Sequence, residues 1–71
     1  MQLGPKQTRS RLGKKVQKLR KALGVSQEKF AEKINISRTH MEHIEQGRKS
    51  PSLKVMTKLA KALHVKISDL F

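Results

Sequence analysis

The chain has no cysteine, no tryptophan and no tyrosine, and only five acidic side chains in 71 residues. Without cysteine there is no disulfide framework and no cysteine-containing zinc site. Two phenylalanines are the only aromatic residues, too few for the stacking platforms that hold single-stranded nucleic acid. No apolar run approaches the roughly 18 residues that a membrane span needs, and no secretory h-region is present. A chain of 71 residues is one small domain with no room for a catalytic cleft between lobes. Against the five acids stand 17 Lys and Arg, a net charge of +12. That surplus argues for a polyanionic partner, a nucleic acid or an anionic membrane surface. The shortage of aromatics turns the expectation toward a duplex.

The most informative stretch is 26–46, SQEKFAEKINISRTHMEHIEQ. It reads as two short helices meeting at a sharp turn. Phe30 and Ala31 point inward, and Ile34 closes the first helix. Ala31 is small enough to let the second helix cross close by. Asn35 falls at the turn, and asparagine enters the left-handed region at modest cost. Ser37 can accept a bond from an orphaned N–H at the next helix start. Met41 and Ile44 then bury one side of that helix. This is the pattern of a helix-turn-helix, whose second helix lies in the DNA major groove.

Around this pair the sequence predicts further helices. Residues 1–9, MQLGPKQTR, read as a basic flexible arm because Gly4-Pro5 discourages helix. It is either a disordered tail or an arm that follows phosphates or enters the minor groove. The domain proper is then 10–71. A first helix is expected from Ser10 to Leu23, with Leu12, Val16, Leu19 and Leu23 in one apolar stripe. Lys14, Lys15, Lys18 and Lys21 cover its other side, and Gly24 is a suitable C-cap. Helices follow from Ser26 to Ile34, Arg38 to Gln46 and Leu53 to Leu63, the last capped by Ser52. Ser68-Asp69 opens a closing turn that ends at Leu70-Phe71.

On the fourth helix, Leu53, Met56, Leu59, Ala60 and Leu63 form the expected core stripe. Val55 and Ala62 widen the apolar sector beyond what a core needs, to roughly half the circumference. The spare edge suggests a second subunit. Candidates for that contact are Val55, Met56, Leu59, Ala62, Ile67, Leu70 and Phe71.

With Met41 and Ile44 buried, a helical wheel turns Arg38, Thr39, Glu42, His43 and Gln46 the other way. Arg38 suits guanine O6 and N7, with a phosphate contact as its alternative. Thr39 offers a hydroxyl to a base and a methyl to thymine, and His43 can donate to guanine or phosphate. Glu42 either accepts from cytosine N4 or orients Arg38, four residues earlier. Phosphate contacts, which set register without reading sequence, are expected from Gln27, Ser37, Arg48 and Lys49. For Arg48 and Lys49 a solvated loop charge is the alternative. His40 and His43 stand three apart, but with no cysteine and no nearby aspartate a metal site is not expected. No nucleophile, base and orienting group can be assembled, so neither catalysis nor a cofactor is expected.

The segments KLRKALGVSQEKFAEKINIS and IEQGRKSPSLKVMTKLAKALHVKISDLF resemble the Cro/C1-type (XRE-like) helix-turn-helix regulators of bacteria and phages. The likeness runs from Leu12 to Phe71. It implies an all-α, compact five-helix, lambda-repressor-like domain that binds palindromic operators as a dimer. It implies that Gln27 touches the DNA backbone while Arg38, Thr39 and His43 read bases. It also implies a partly buried ion pair between Arg20 and Glu45, tying helix 1 to the recognition helix. Asn35 and His64 depart from the family pattern by standing where many relatives carry glycine. The RTH sequence at 38–40 is similar to the short controller proteins of restriction–modification systems.

The expectation is therefore a sequence-specific regulator of transcription that binds double-stranded DNA as a homodimer, in the cytoplasm at the nucleoid. It has no membrane attachment and no small-molecule effector. An antitoxin that binds a protein toxin as well as DNA is the alternative; a membrane-active basic peptide is opposed by the capped turns.

Overall fold

The computed structural model describes residues 4–71. Its elements in chain order are α1 (Pro5–Ala22), α2 (Gln27–Lys33), α3 (Arg38–Glu45), α4 (Leu53–Leu63) and a closing 3₁₀ turn (Ile67–Leu70). The class is all-α, but the expected fifth helix is this single 3₁₀ turn rather than a full helix.

Three serines set the starts of α2, α3 and α4. The hydroxyls of Ser26, Ser37 and Ser52 accept from the backbone N–H of Lys29, His40 and Val55 at 3.1, 3.0 and 3.2 Å. Each cap satisfies one orphan donor and contributes about 1 kcal/mol. The closing turn uses a carboxylate in the same way, Asp69 accepting from the Lys66 N–H at 2.9 Å.

α1 starts earlier than its sequence suggests. Residues 5–9, expected as part of a flexible arm, are its first turns. Proline breaks a helix interior, but at the first helical position its missing N–H is one of the orphans and its fixed φ already suits a helix. Gly4 stands before it in extended conformation, φ −70°, ψ 167°. The Arg9 guanidinium donates to the Gly47 carbonyl at 3.3 Å, holding this end of α1 against the loop after α3. Residues 1–3 of the expected arm lie outside the described residues.

Leu12, Val16, Phe30, Ala31, Ile34, Met41, Ile44, Leu59, Ala60, Leu63 and Leu70 enclose one core. Three members of the expected stripes do not join it: Leu23, Leu53 and the half-exposed Met56. Leu23 is 46 % exposed, because α1 ends at Ala22 and the chain turns away at Gly24; Val25 packs on the core instead. Leu53, at the first position of α4, is 70 % exposed because it lies beyond the edge of the core. Both non-glycine departures take the left-handed conformation: Asn35 and His64 each have φ of 60°. His64 serves as the left-handed C-cap of α4, donating its N–H back to Lys61.

Candidate nucleic-acid interface

The recognition helix α3 is held from behind by a charged clasp. Arg20 Nε donates to Glu45 Oε2 at 2.7 Å, and Arg20 Nη2 donates to Glu45 Oε1 at 3.0 Å. This is the bidentate fork that arginine forms with a carboxylate. Arg20 Nη1 also donates to the Val25 carbonyl at 2.7 Å, and Gln27 Nε2 donates to Glu45 Oε1 at 3.1 Å. Thus α1, the α1–α2 loop, α2 and α3 converge on one buried ion pair. Among the described residues no buried side-chain polar atom lacks a partner.

The clasp alters the reading of Gln27. Its amide was expected to face phosphate, yet it turns inward to Glu45. At the first position of α2, it lies beside a buried acceptor that needs more donors than Arg20 supplies. Gln27 thereby ties the start of α2 to the back of α3.

The side of α3 that faces away from Met41 and Ile44 carries the predicted readers. Arg38 and Thr39 are exposed in its first turn, and Glu42 and His43 are half-exposed one turn on. Arg38 lies between two carboxylates, 3.8 Å from Glu28 Oε2 and 4.0 Å from Glu42 Oε1. Glu42 thus stands where it can orient Arg38. Glu28, on α2, is a neighbour that helical spacing on α3 could not reveal.

Ser37, Thr39, His40, His43 and Lys49 line a shallow concavity of about 270 Å³. Lys49 reaches it because the loop folds back on α3: the Arg48 and Lys49 N–H groups both donate to the His43 carbonyl, at 2.9 and 3.4 Å. The Ser37 hydroxyl, expected at a phosphate, is engaged with the His40 N–H as a cap. Arg48 and Lys49 are exposed. The concavity is thus bordered by hydroxyls, imidazoles and an ammonium, groups that donate to phosphate oxygens and base edges. His40, not singled out as a DNA contact from the sequence, belongs to it. The described residues contain no group of three or more His, Cys, Asp or Glu side chains suited to a metal ion.

The apolar residues assigned to a subunit contact divide in two. Leu59 and Leu70 are 0 % and 1 % exposed and belong to the protomer's own core. They offer no surface to a partner, which corrects their assignment. Ala62 is also buried, whereas Val55, Met56 and Ile67 are half-exposed and Phe71 is 59 % exposed.

Residues 16–70 match the helix-turn-helix family model. The control protein C.MunI of a Mycoplasma species is 40 % identical over 62 residues, covering 86 % of this chain and 84 % of the relative. The B. subtilis HTH-type transcriptional regulator YgzD is 40 % identical over 57 residues, covering 80 % and 86 %. In structure, the restriction–modification controller protein C.AhdI of Aeromonas hydrophila superposes with a TM-score of 0.84 at 33 % identity, covering 89 % of this chain and 96 % of that one. The chain belongs to the helix-turn-helix family of DNA-binding transcription regulators. It is a regulator by family, not an enzyme.

Proposed function

We propose that the protein regulates transcription by reading a palindromic operator as a homodimer, each protomer laying α3 in the major groove. The observation that carries this reading is the two-sided α3. Met41 and Ile44 are buried on one side, while Arg38, Thr39, Glu42 and His43 remain accessible on the other. Arg38 and Thr39 occupy the first turn, where such helices reach base edges. Arg48, Lys49 and the concavity beside His43 supply phosphate contacts, with the net charge of +12 providing long-range attraction.

Val55, Met56, Ile67 and Phe71 support a second subunit, because they are the members of the predicted contact that keep apolar surface. A two-fold pair would place its recognition helices about 34 Å apart, one turn of duplex. The similarity to the control protein C.MunI and to the restriction–modification controller protein C.AhdI favours a control protein's role. The absence from the described residues of any helix long and apolar enough to cross a membrane is compatible with access to the nucleoid.

Arg38→Ala tests the base-reading claim. Against a duplex recovered by selection, fluorescence anisotropy should show about a tenfold to hundredfold loss of affinity per protomer contact, the worth of one bidentate base contact. Against a scrambled duplex the loss should be much smaller. Equal losses on both duplexes would assign Arg38 to the phosphate backbone instead.

A further inference from the structure

Glu28 stands out because it opposes the rest of the surface. In a chain with five acids, two of them bracket the side chain best suited to read a base. Arg38 and Glu28 are 62 % and 71 % exposed, and open ion pairs of this kind contribute little to stability. The pairing therefore has no strong structural purpose. Its consequence lies at the DNA face, where a carboxylate disfavours phosphate and weakens general attraction.

We propose that Glu28 is a specificity-determining residue that acts by positioning Arg38; the inference rests on the base-reading role given to Arg38 above. An arginine on a long free stem reaches any nearby phosphate, a contact blind to sequence. With Glu28 Oε2 at 3.8 Å and Glu42 Oε1 at 4.0 Å, the guanidinium is biased toward the space in front of α3. This bias lowers the ordering cost of one bidentate base contact. It also penalises the swing toward the backbone, which would leave two carboxylates facing phosphates without their cation. On the correct base the guanidinium keeps five N–H donors, enough for the guanine edge and a carboxylate together. On the wrong base it has nothing to offset the repulsion. Glu28 thus weakens non-specific binding more than specific binding.

The test compares Glu28→Gln with Glu32→Gln on the selected and scrambled duplexes at near-physiological salt. Both substitutions remove one negative charge from the same exposed helix surface, but Glu32 forms no ion pair among the described residues. Glu28→Gln should tighten scrambled binding about fivefold more than selected binding and steepen the salt dependence on the scrambled duplex by about one phosphate's worth. Glu32→Gln should shift both affinities alike. The Glu28→Gln effect should disappear in an Arg38→Ala background, and the variant should melt within a few degrees of the wild type, the worth of one carboxylate in the first turn of α2. If Glu28→Gln tracks Glu32→Gln while Arg38→Ala still relaxes selection, Glu28 has no positioning role and only this inference falls. If Arg38→Ala leaves the ratio of the two affinities unchanged, the base-reading claim falls and this inference with it.

Discussion

Replacing Glu45 by alanine should lower the melting temperature by at least about 12 °C, with Arg20→Ala close behind. The two side chains are 1 % and 8 % exposed, and they meet at 2.7 Å. Removing one partner of a buried pair leaves the other's charge without its counter-ion and costs about 3–5 kcal/mol. In a domain of this size each 1 kcal/mol moves the melting temperature by about 4–8 °C. The total stability available to 71 residues is only about 4–10 kcal/mol, so either variant approaches unfolding at growth temperature. The loss extends beyond one bond. Without Glu45, Arg20 retains only the Val25 carbonyl and Gln27 loses its anchor. The entry to α2 and the back of α3 then loosen together. An Arg20→Met/Glu45→Met double variant should recover part of the loss, because neither charge remains stranded. Thermal melts followed by circular dichroism decide the matter. Two single variants melting within a few degrees of the wild type would show that the pair is solvated and weak.

The second large effect is expected at Gly13. Glycine inside a helix is ordinarily a weakness, and replacement by alanine adds about 0.5–1 kcal/mol of stability. Here the sign should reverse. A Cβ at position 13 would fall 2.4 Å from the Ile44 carbonyl oxygen and 2.6 Å from that of Glu45. Both are backbone atoms at the end of α3, so no side-chain rotation relieves the clash. The helices must move apart, at about 1–3 kcal/mol for overpacking of this kind. The same displacement would stretch the Arg20–Glu45 pair and tilt the recognition helix. Gly13→Ala should therefore melt below the wild type and bind the selected duplex more weakly. A melting temperature equal to or above the wild type's would mean that α1 and α3 can separate freely.

Much of this architecture is legible in the sequence because its signals are local. Ser26, Ser37 and Ser52 mark helix starts through hydroxyls that act within three residues. Asn35 marks the turn through its own backbone preference. Apolar spacing selects Val16, Met41 and Ile44, which are fully buried. What stays hidden depends on partners distant along the chain. Gly13 carries no local sign that α3 will press on it, beyond being a lone glycine in a helical pattern. Arg20 and Glu45, 25 residues apart, are paired by resemblance and not by spacing. Gln27 turns inward, and Glu28 approaches Arg38, only because α2 and α3 cross at one particular angle. Apolar residues at a helix edge are equally ambiguous. Leu59 fits both the core stripe and a second-subunit contact, and Leu70 reads as surface, until the fold shows both enclosed in the protomer's own core. Pro5 misleads for the opposite reason, since the same ring that breaks a helix interior begins a helix well.

In the proposed complex, α3 reads sequence in a two-fold arrangement. Its most direct test is selection of binding sites from a random duplex pool at near-physiological salt, followed by sequencing. The expected result is a palindrome whose half-sites have centres about 10 bp apart or a whole number of turns more, with a guanine in each half-site whose preference is relaxed by Arg38→Ala. A pool that yields no motif, with affinity falling steeply and uniformly as salt rises, would contradict it. The charge of +12 would then be binding DNA without reading it.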